Sequence, residues 1–147
     1  MMRQLKFMPL YAVIGGLFYG LYGCNAGTNL GTSPVSISAT TGNTNCGSLN
    51  YESMCQIILT YNTGGGKGLS VGYTPQQSTF SSFVNATLFE SGVAYCNTYI
   101  ANNSATSGTC PPIIVQFTST NGNLSTTFNF NFGGKTSNPI FVGGWNN

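Results

Sequence analysis

Ionisable side chains are scarce in this sequence of 147 residues. It contains no histidine and no aspartate, and 4% of its residues are charged, against about 25% in an average globular domain. A Ser-His-Asp triad is impossible without histidine, and general acid–base catalysis has only the carboxylates of Glu52 and Glu90 to use. No neighbouring motif marks either glutamate as buried or paired, so both are expected in solvated loops. We therefore predict that the protein is not an enzyme and has no catalytic residues.

Nucleic-acid, metal and cofactor binding are also disfavoured. Four basic residues cannot form the extended basic surface that a nucleic acid needs. The five cysteines form no CxxC pair, and there is no histidine to complete a mixed zinc site. Residues 64–70 contain glycines and Lys67, but Gly68 stands where a phosphate-binding loop has Ser or Thr. We interpret this segment as a glycine-rich hairpin tip, and we predict no metal, cofactor or small-molecule substrate.

The first 23 residues have the layout of a secretory signal peptide. Arg3 and Lys6 precede an uncharged, mostly apolar stretch over residues 7–22, which is the order of a basic and then an apolar signal region. The stretch is shorter than the roughly 20 apolar residues of a membrane-spanning helix, and glycines interrupt it. We therefore predict residues 1–23 to be removed on export.

A short motif at the end of this stretch, Leu21-Tyr22-Gly23-Cys24, resembles the lipobox of bacterial lipoproteins. In that family Leu stands three residues before the cysteine and a small residue directly before it; Tyr22 departs from the smaller residue that the family prefers. The resemblance implies cleavage before Cys24 and acylation of its sulfur with chains such as palmitate. Asn25, which is not aspartate, favours the outer membrane in that family. An ordinary signal peptide with an unmodified Cys24, or an uncleaved N-terminal helix, is the alternative.

The count of cysteines agrees with lipidation. Once Cys24 is acylated, four cysteines remain, and an exported protein tends to pair its cysteines in disulfides. Four cysteines allow three pairings. Cys46 and Cys55 bracket one short polar segment, and Cys96 and Cys110 bracket another. We favour these two local pairs, and mass mapping that found Cys46 joined to Cys110 would contradict them.

The mature chain is predicted to be a short tether followed by one β-rich domain. Residues 24–33 are rich in Gly, Asn and Thr, which favours a flexible linker, and residues 34–147 form the domain. Val35, Ile37 and Ala39 alternate with serines, and three phenylalanines at 128, 130 and 132 alternate with asparagines. Glycines at 64–66 predict a hairpin between 55–61 and 69–73, Asn121-Gly122 predicts another between 112–120 and 124–132, and 140–142 is a last strand.

Residues 75–100 fit two patterns. Val84, Ala86 and Leu88 alternate as in a strand, whereas Val93, Cys96 and Ile100 have helical spacing. We favour strands, with one helical turn or short helix between Pro75 and Glu90, because Ser, Thr and Asn compete with helical hydrogen bonds.

Short strands separated by Gly/Asn/Ser turns predict an all-β fold, most simply one immunoglobulin-like antiparallel β-sandwich. Residues 34–38 and 55–64 resemble the first strand and a strand-and-turn of bacterial immunoglobulin-like envelope domains, which implies the same fold.

The function expected from these features is that of a non-enzymatic cell-envelope lipoprotein. A lipid anchor would hold it to the membrane, and its sandwich would bind a protein partner or support an envelope assembly. Tyr95, Tyr99 and Trp145 are candidate contact residues, although we favour core packing for the two tyrosines. The alternative is a subunit of an extracellular fibre or surface layer, assembled by strand pairing or exchange, because low charge removes the residues that block edge pairing.

Overall fold

The computed structural model describes residues 34–144, which belong to one compact unit, Pro34–Asn147. The predicted signal peptide, Cys24, the tether and Trp145 lie outside the described residues. Within them, eight strands and two helices follow one another in this order: β1 Ser36–Thr41, β2 Met54–Asn62, β3 Val71–Thr74, α1 Gln77–Phe80, α2 Ala86–Asn102, β4 Ser107–Thr109, β5 Ile113–Gln116, β6 Ser125–Phe132, β7 Lys135–Thr136 and β8 Ile140–Gly143. No helix in this part of the chain is long and apolar enough to cross a membrane.

The first sheet is built on β2. β1 pairs antiparallel with one side of β2, and β4 and β5 follow one another along its other side. Two residues of β2 lie between Ile57 and Thr60, but three residues of the opposite segment lie between their partners Thr109 and Ile113. This bulge, where the chain carries two prolines, separates β4 from β5.

The second sheet is built on β6 in the same way. β3 pairs antiparallel with one side of β6, and β7 and β8 follow one another along the other side. The hairpin from β6 to β7 turns at Gly133 and Gly134, whose φ angles are 54° and 83°. A two-residue turn with both φ angles positive suits glycine and matches the twist of the strands that it joins.

The two sheets confirm the predicted all-β, sandwich-like fold; the immunoglobulin-like topology stays a prediction. Strand alternation is confirmed on both sheets. Ile37 and Ala39 are buried on β1, and Phe128, Phe130 and Phe132 are all at most 1% exposed on β6. Their rings dominate the core: Phe128, for example, stacks on a phenylalanine of α2 with ring centroids 4.7 Å apart, which adds to the free energy of burying both rings.

The prediction of strands over residues 75–100 was wrong. This region forms α1 and the 17-residue helix α2, far longer than a single turn. Asn85 caps α2 by accepting a hydrogen bond from the Leu88 N–H at 3.1 Å. The buried residues of α2 have helical spacing and include Phe89, Val93, Cys96 and Ile100. Burial of this face outweighs the weak helix propensity of the intervening Ser, Thr and Asn.

The helix packs against both sheets. Gly92 brings α2 close to β5, since a Cβ there would lie 2.9 Å from Cγ2 and 3.0 Å from Cα of Ile113. On the other side, the Phe89 ring stacks on Phe128 of β6, and the Tyr73 ring of β3 packs edge-on against Phe89 at a centroid distance of 4.9 Å. A long helix that contacts both sheets was not predicted.

Both predicted hairpins were also wrong. β2 and β3 lie in different sheets, as do β5 and β6. The glycine turn is present, because Gly64, Gly65 and Gly68 have positive φ angles, but it carries the chain from one sheet to the other. A turn signal fixes a change of direction and does not specify the strand that the chain pairs with next.

Two disulfides join the four cysteines of the domain. Cys46 is bonded to Cys55, with their Cα atoms 5.3 Å apart, and Cys96 to Cys110, at 5.0 Å. The first closes the loop between β1 and β2, and the second ties α2 to the bulge after β4. Disulfides of this kind stabilise a fold mainly by limiting the freedom of the unfolded chain.

Candidate interaction surfaces

The two glutamates do not meet in one site. Glu52 is exposed in the loop before β2, with φ at 67°, and its backbone N–H donates to the Phe117 carbonyl at 2.7 Å. Glu90 lies half-buried on α2, where it accepts a hydrogen bond from the Tyr73 hydroxyl, so its predicted place in a solvated loop was wrong. Burial, together with the hydrogen bond and the charge of Glu90, raises the pKa of Tyr73 above its usual range. The pair therefore joins α2 to β3 as a neutral phenol and its acceptor.

The clefts of the domain offer little for chemistry. A cleft of about 350 Å³ opens on the outer side of the first sheet, and its lining residues are Asn43, Thr44, Met54, Cys55, Gln56, Leu88 and Ile114. These side chains are amides, a hydroxyl, apolar groups and a disulfide, and none of them transfers protons near neutral pH. Among residues 34–144, no group of three or more His, Cys, Asp or Glu side chains is placed to hold a metal ion.

An asparagine amide covers the outer edge of β1. The Oδ1 of Asn138 accepts a hydrogen bond from the Ala39 N–H at 2.9 Å, and its Nδ2 donates to the Ala39 carbonyl at 2.7 Å. The side chain thus makes the two contacts that a residue of a neighbouring strand would make. Because Asn138 lies between β7 and β8, this contact also ties the first sheet to the second.

A second asparagine does the same for β3. The Oδ1 of Asn97, on α2, accepts from the Val71 N–H at 2.7 Å, and its Nδ2 donates to the Val71 carbonyl at 3.2 Å. We call these two contacts, Asn138 on Ala39 and Asn97 on Val71, the amide clamps. Exposed edge strands normally invite pairing with another chain, and proteins often block it with charge. In this domain, neutral side-chain amides instead bind the backbone N–H and carbonyl groups that another chain would use for pairing.

Loops cover parts of the two remaining edges. Beside β5, the Asn85 N–H donates to the Gln116 carbonyl at 2.9 Å. Beside β8, Gly143 donates to the Cys46 carbonyl and accepts from the Leu49 N–H, both at 2.9 Å, so the loop closed by the first disulfide lies along this strand. Each of the four edge positions therefore has backbone groups that are already hydrogen-bonded within the domain.

One side of α2 presents an uncharged, partly aromatic surface. Tyr95 is 69% exposed and Tyr99 is 39% exposed, so the prediction that both pack in the core was wrong. Ser91, Ala94 and Thr98 lie beside them at helical spacing; we call these five residues the tyrosine face. The Tyr99 ring packs edge-on against the buried Tyr61 at a centroid distance of 6.4 Å. A supported tyrosine loses little conformational entropy on binding, which is why interfaces are rich in tyrosine.

The outer face of the second sheet is also uncharged. Thr127, Asn129 and Asn131 of β6 point outward, opposite the buried phenylalanines, as the alternation predicted. Phe141 of β8 lies in register with Thr127 and is 54% exposed. This face carries one exposed ring among amides and hydroxyls, whereas the tyrosine face carries two.

No protein-family profile, curated protein or solved structure matches this chain.

Proposed function

We propose that the protein is a non-enzymatic lipoprotein of the bacterial cell envelope, anchored through Cys24 in the outer membrane. The observation that carries this proposal is the use of the cysteines. The sequence has five, the two disulfides of the domain use four, and the fifth is the cysteine of the lipobox-like motif. A free thiol is unusual in an exported chain, and acylation accounts for it.

The domain would then serve as a binding module, and the tyrosine face is the surface that we propose for a protein partner. Tyr95 is the most exposed of the large hydrophobic side chains of residues 34–144. No side chain of the tyrosine face is charged, so docking a partner there requires no desolvation of an ion. Tyrosine is also among the residues that most often dominate binding energy.

The fibre alternative receives less support. Assembly by strand pairing needs a free edge, whereas the amide clamps and the two covering loops occupy backbone groups on the edges of both sheets. Assembly through these edges would first have to break contacts within the domain.

Anchoring is tested by Cys24→Ser in cells, followed by fractionation and labelling with a clickable fatty acid. We expect the variant to lose both the label and the membrane pool. Tyr22→Ala is the matched control, because it moves the motif towards the family preference and should be labelled like the wild type. Asn25→Asp tests the choice of membrane and should shift the protein to the inner membrane. An unchanged distribution of Cys24→Ser would refute the anchor.

Binding through the tyrosine face is tested by a photo-crosslinking residue placed at position 95 in intact cells. We expect one discrete protein adduct that is absent when the same residue replaces Thr60, an exposed position on the first sheet. Equal adducts from both positions, or none from position 95, would argue against this surface.

A further inference from the structure

We infer that the end of the domain at which the polypeptide enters docks onto an anionic lipid surface through Lys67 and Lys135. The inference rests on the proposed lipid anchor, and it adds an orientation and a second, electrostatic contact with the membrane. The supporting observation is the distribution of the few charges along the fold.

Three segments meet at the entry end. Val35 directly precedes β1, and a Cβ on Gly133 would lie 2.9 Å from Cγ1 of Val35 and 3.4 Å from Cδ1 of Leu69. Leu69 belongs to the glycine-rich loop that carries Lys67, and Gly133 belongs to the turn that precedes Lys135. Both lysines are exposed. We call this region the lysine end.

The strand registers place the same segments together. Ser36, where β1 begins, lies opposite Asn62, where β2 ends and the glycine-rich loop begins. In the second sheet, Phe132 at the end of β6 lies opposite Val71 on one side and Lys135 on the other. The entry of the chain, the Lys67 loop and the Lys135 turn therefore share one end of the sandwich.

The negative charges lie elsewhere. Glu52 precedes β2 at the end opposite Asn62, and the nine residues of β2 separate these ends by about 27 Å at the usual rise per residue. Glu90 is held by the Tyr73 hydroxyl on the side of the domain. Because charges are screened over about 8 Å at physiological salt, Glu52 contributes little to the field at the lysine end. The C-terminus of α2 lies there too, but its half charge is smaller than the two full charges of the lysines.

The chain length keeps this end near the bilayer. Ten residues, 24–33, precede Pro34, so an acylated Cys24 at the lipid surface is at most about 36 Å from the domain. The anchor therefore gives the lysine end a higher effective concentration at the lipid headgroups than any other part of the domain.

Each lysine close to an anionic membrane strengthens binding by about 5-fold, and two by roughly 30-fold. The effect is measured with the mature chain, residues 24–147, in which Cys24→Ser removes the acylation site while the domain keeps its own core and both disulfides. The probes are vesicles of phosphatidylcholine with and without phosphatidylglycerol, and sedimentation gives the partition coefficient.

We expect binding to the anionic vesicles that weakens with added salt and is weak on neutral vesicles. Lys67→Gln and Lys135→Gln should each reduce partitioning about 5-fold, and the double variant roughly 30-fold. Glu52→Gln is the matched control, because it changes the net charge by one unit at the opposite end and should leave partitioning unchanged. Urea unfolding of each variant checks that it is folded.

Three results would overturn the inference. The first is a double lysine variant that binds like the parent chain. The second is a Glu52→Gln variant that binds about 5-fold more strongly, as expected if net charge alone acted. The third is a dimer, detected by sedimentation velocity, that the lysine variants abolish, because a second copy would then be the occupant of the lysine end. Since the vesicle assay uses an unacylated chain, its failure leaves the anchor at Cys24 intact, and loss of acylation in cells does not alter the vesicle result.

Discussion

Asn138→Ala removes the two hydrogen bonds that the outer edge of β1 receives from the side chain of Asn138. Ala39 is 2% exposed while the amide is in place, and both contacts are part-buried, so the freed backbone groups exchange these hydrogen bonds for bonds to water when the amide is gone. Each hydrogen bond contributes about 0.5–1.5 kcal/mol net, which gives a loss of about 1–3 kcal/mol in the free energy of unfolding. Asn138→Asp keeps the acceptor for the Ala39 N–H but places a carboxylate oxygen against the Ala39 carbonyl, so it should destabilise at least as much.

Urea unfolding with the disulfides intact measures this loss. With an m-value of about 1.5 kcal/mol/M, the midpoint should fall by about 0.7–2 M without a change in m. Asn131→Ala is the matched control, because Asn131 is an exposed asparagine on the outer face of the second sheet. If Asn138→Ala and Asn131→Ala unfold within about 0.5 kcal/mol of each other, the range of ordinary surface substitutions, the clamp does not stabilise the fold.

The same variants test edge protection. Removing both clamps, with Asn97→Ala and Asn138→Ala together, frees backbone groups on an edge strand of each sheet and should cause self-association that rises with concentration. Size-exclusion chromatography against the Asn131→Ala control checks this. A double variant that stays monomeric at high concentration, while its stability falls as expected, would show that the amides support the fold without protecting its edges.

Three further outcomes are expected. Replacing Cys96 and Cys110 together by serine should cost about 3 kcal/mol, because the bond closes a loop of 14 residues; a thermal midpoint equal to that of the wild type would contradict a stabilising role. Gly92→Val should cost about 1–3 kcal/mol, since its side chain would overlap β5, whereas the exposed neighbour Ser91→Val should change urea stability little; equal effects would refute the close packing of helix and strand. The raised pKa of Tyr73 means that the folded protein keeps this proton after the unfolded chain has lost it, so stability should fall as pH rises above about 10. Tyr73→Phe should lose that part of the dependence in alkaline urea titrations, and an unchanged profile would contradict the assignment.

Strand alternation was the most informative sequence signal. The phenylalanines at 128, 130 and 132 are all buried on β6, because a period of two places them on one face whatever the neighbouring strand is. The helix was missed although Val93, Cys96 and Ile100 had the right spacing. The weak helix propensity of Ser, Thr and Asn favours strands there, but the buried face of a helix contributes more to its stability than the preferences of its exposed residues.

Features that depend on distant contacts could not be predicted. Asn138 and Ala39 are 99 residues apart, and no local pattern distinguishes Asn138 from the many other asparagines of the chain. The pairing of β2 with β1, β4 and β5 is likewise a property of the whole core, so glycine-rich turns indicated where the chain bends without identifying the partner strand. The exposure of Tyr95 could not be predicted either, because it depends on which face of α2 packs against the sheets.

The amide clamps have a consequence for the conditions under which the domain can work. Charged gatekeepers lose their effect when acid neutralises them or salt screens them, but an asparagine amide neither titrates nor is screened in this way. The contacts of Asn97 with Val71 and of Asn138 with Ala39 should therefore persist in acid, in high salt and at neutral pH alike. For a domain that we propose to work in the cell envelope, contacts that depend on neither pH nor salt remain in place when the surroundings change.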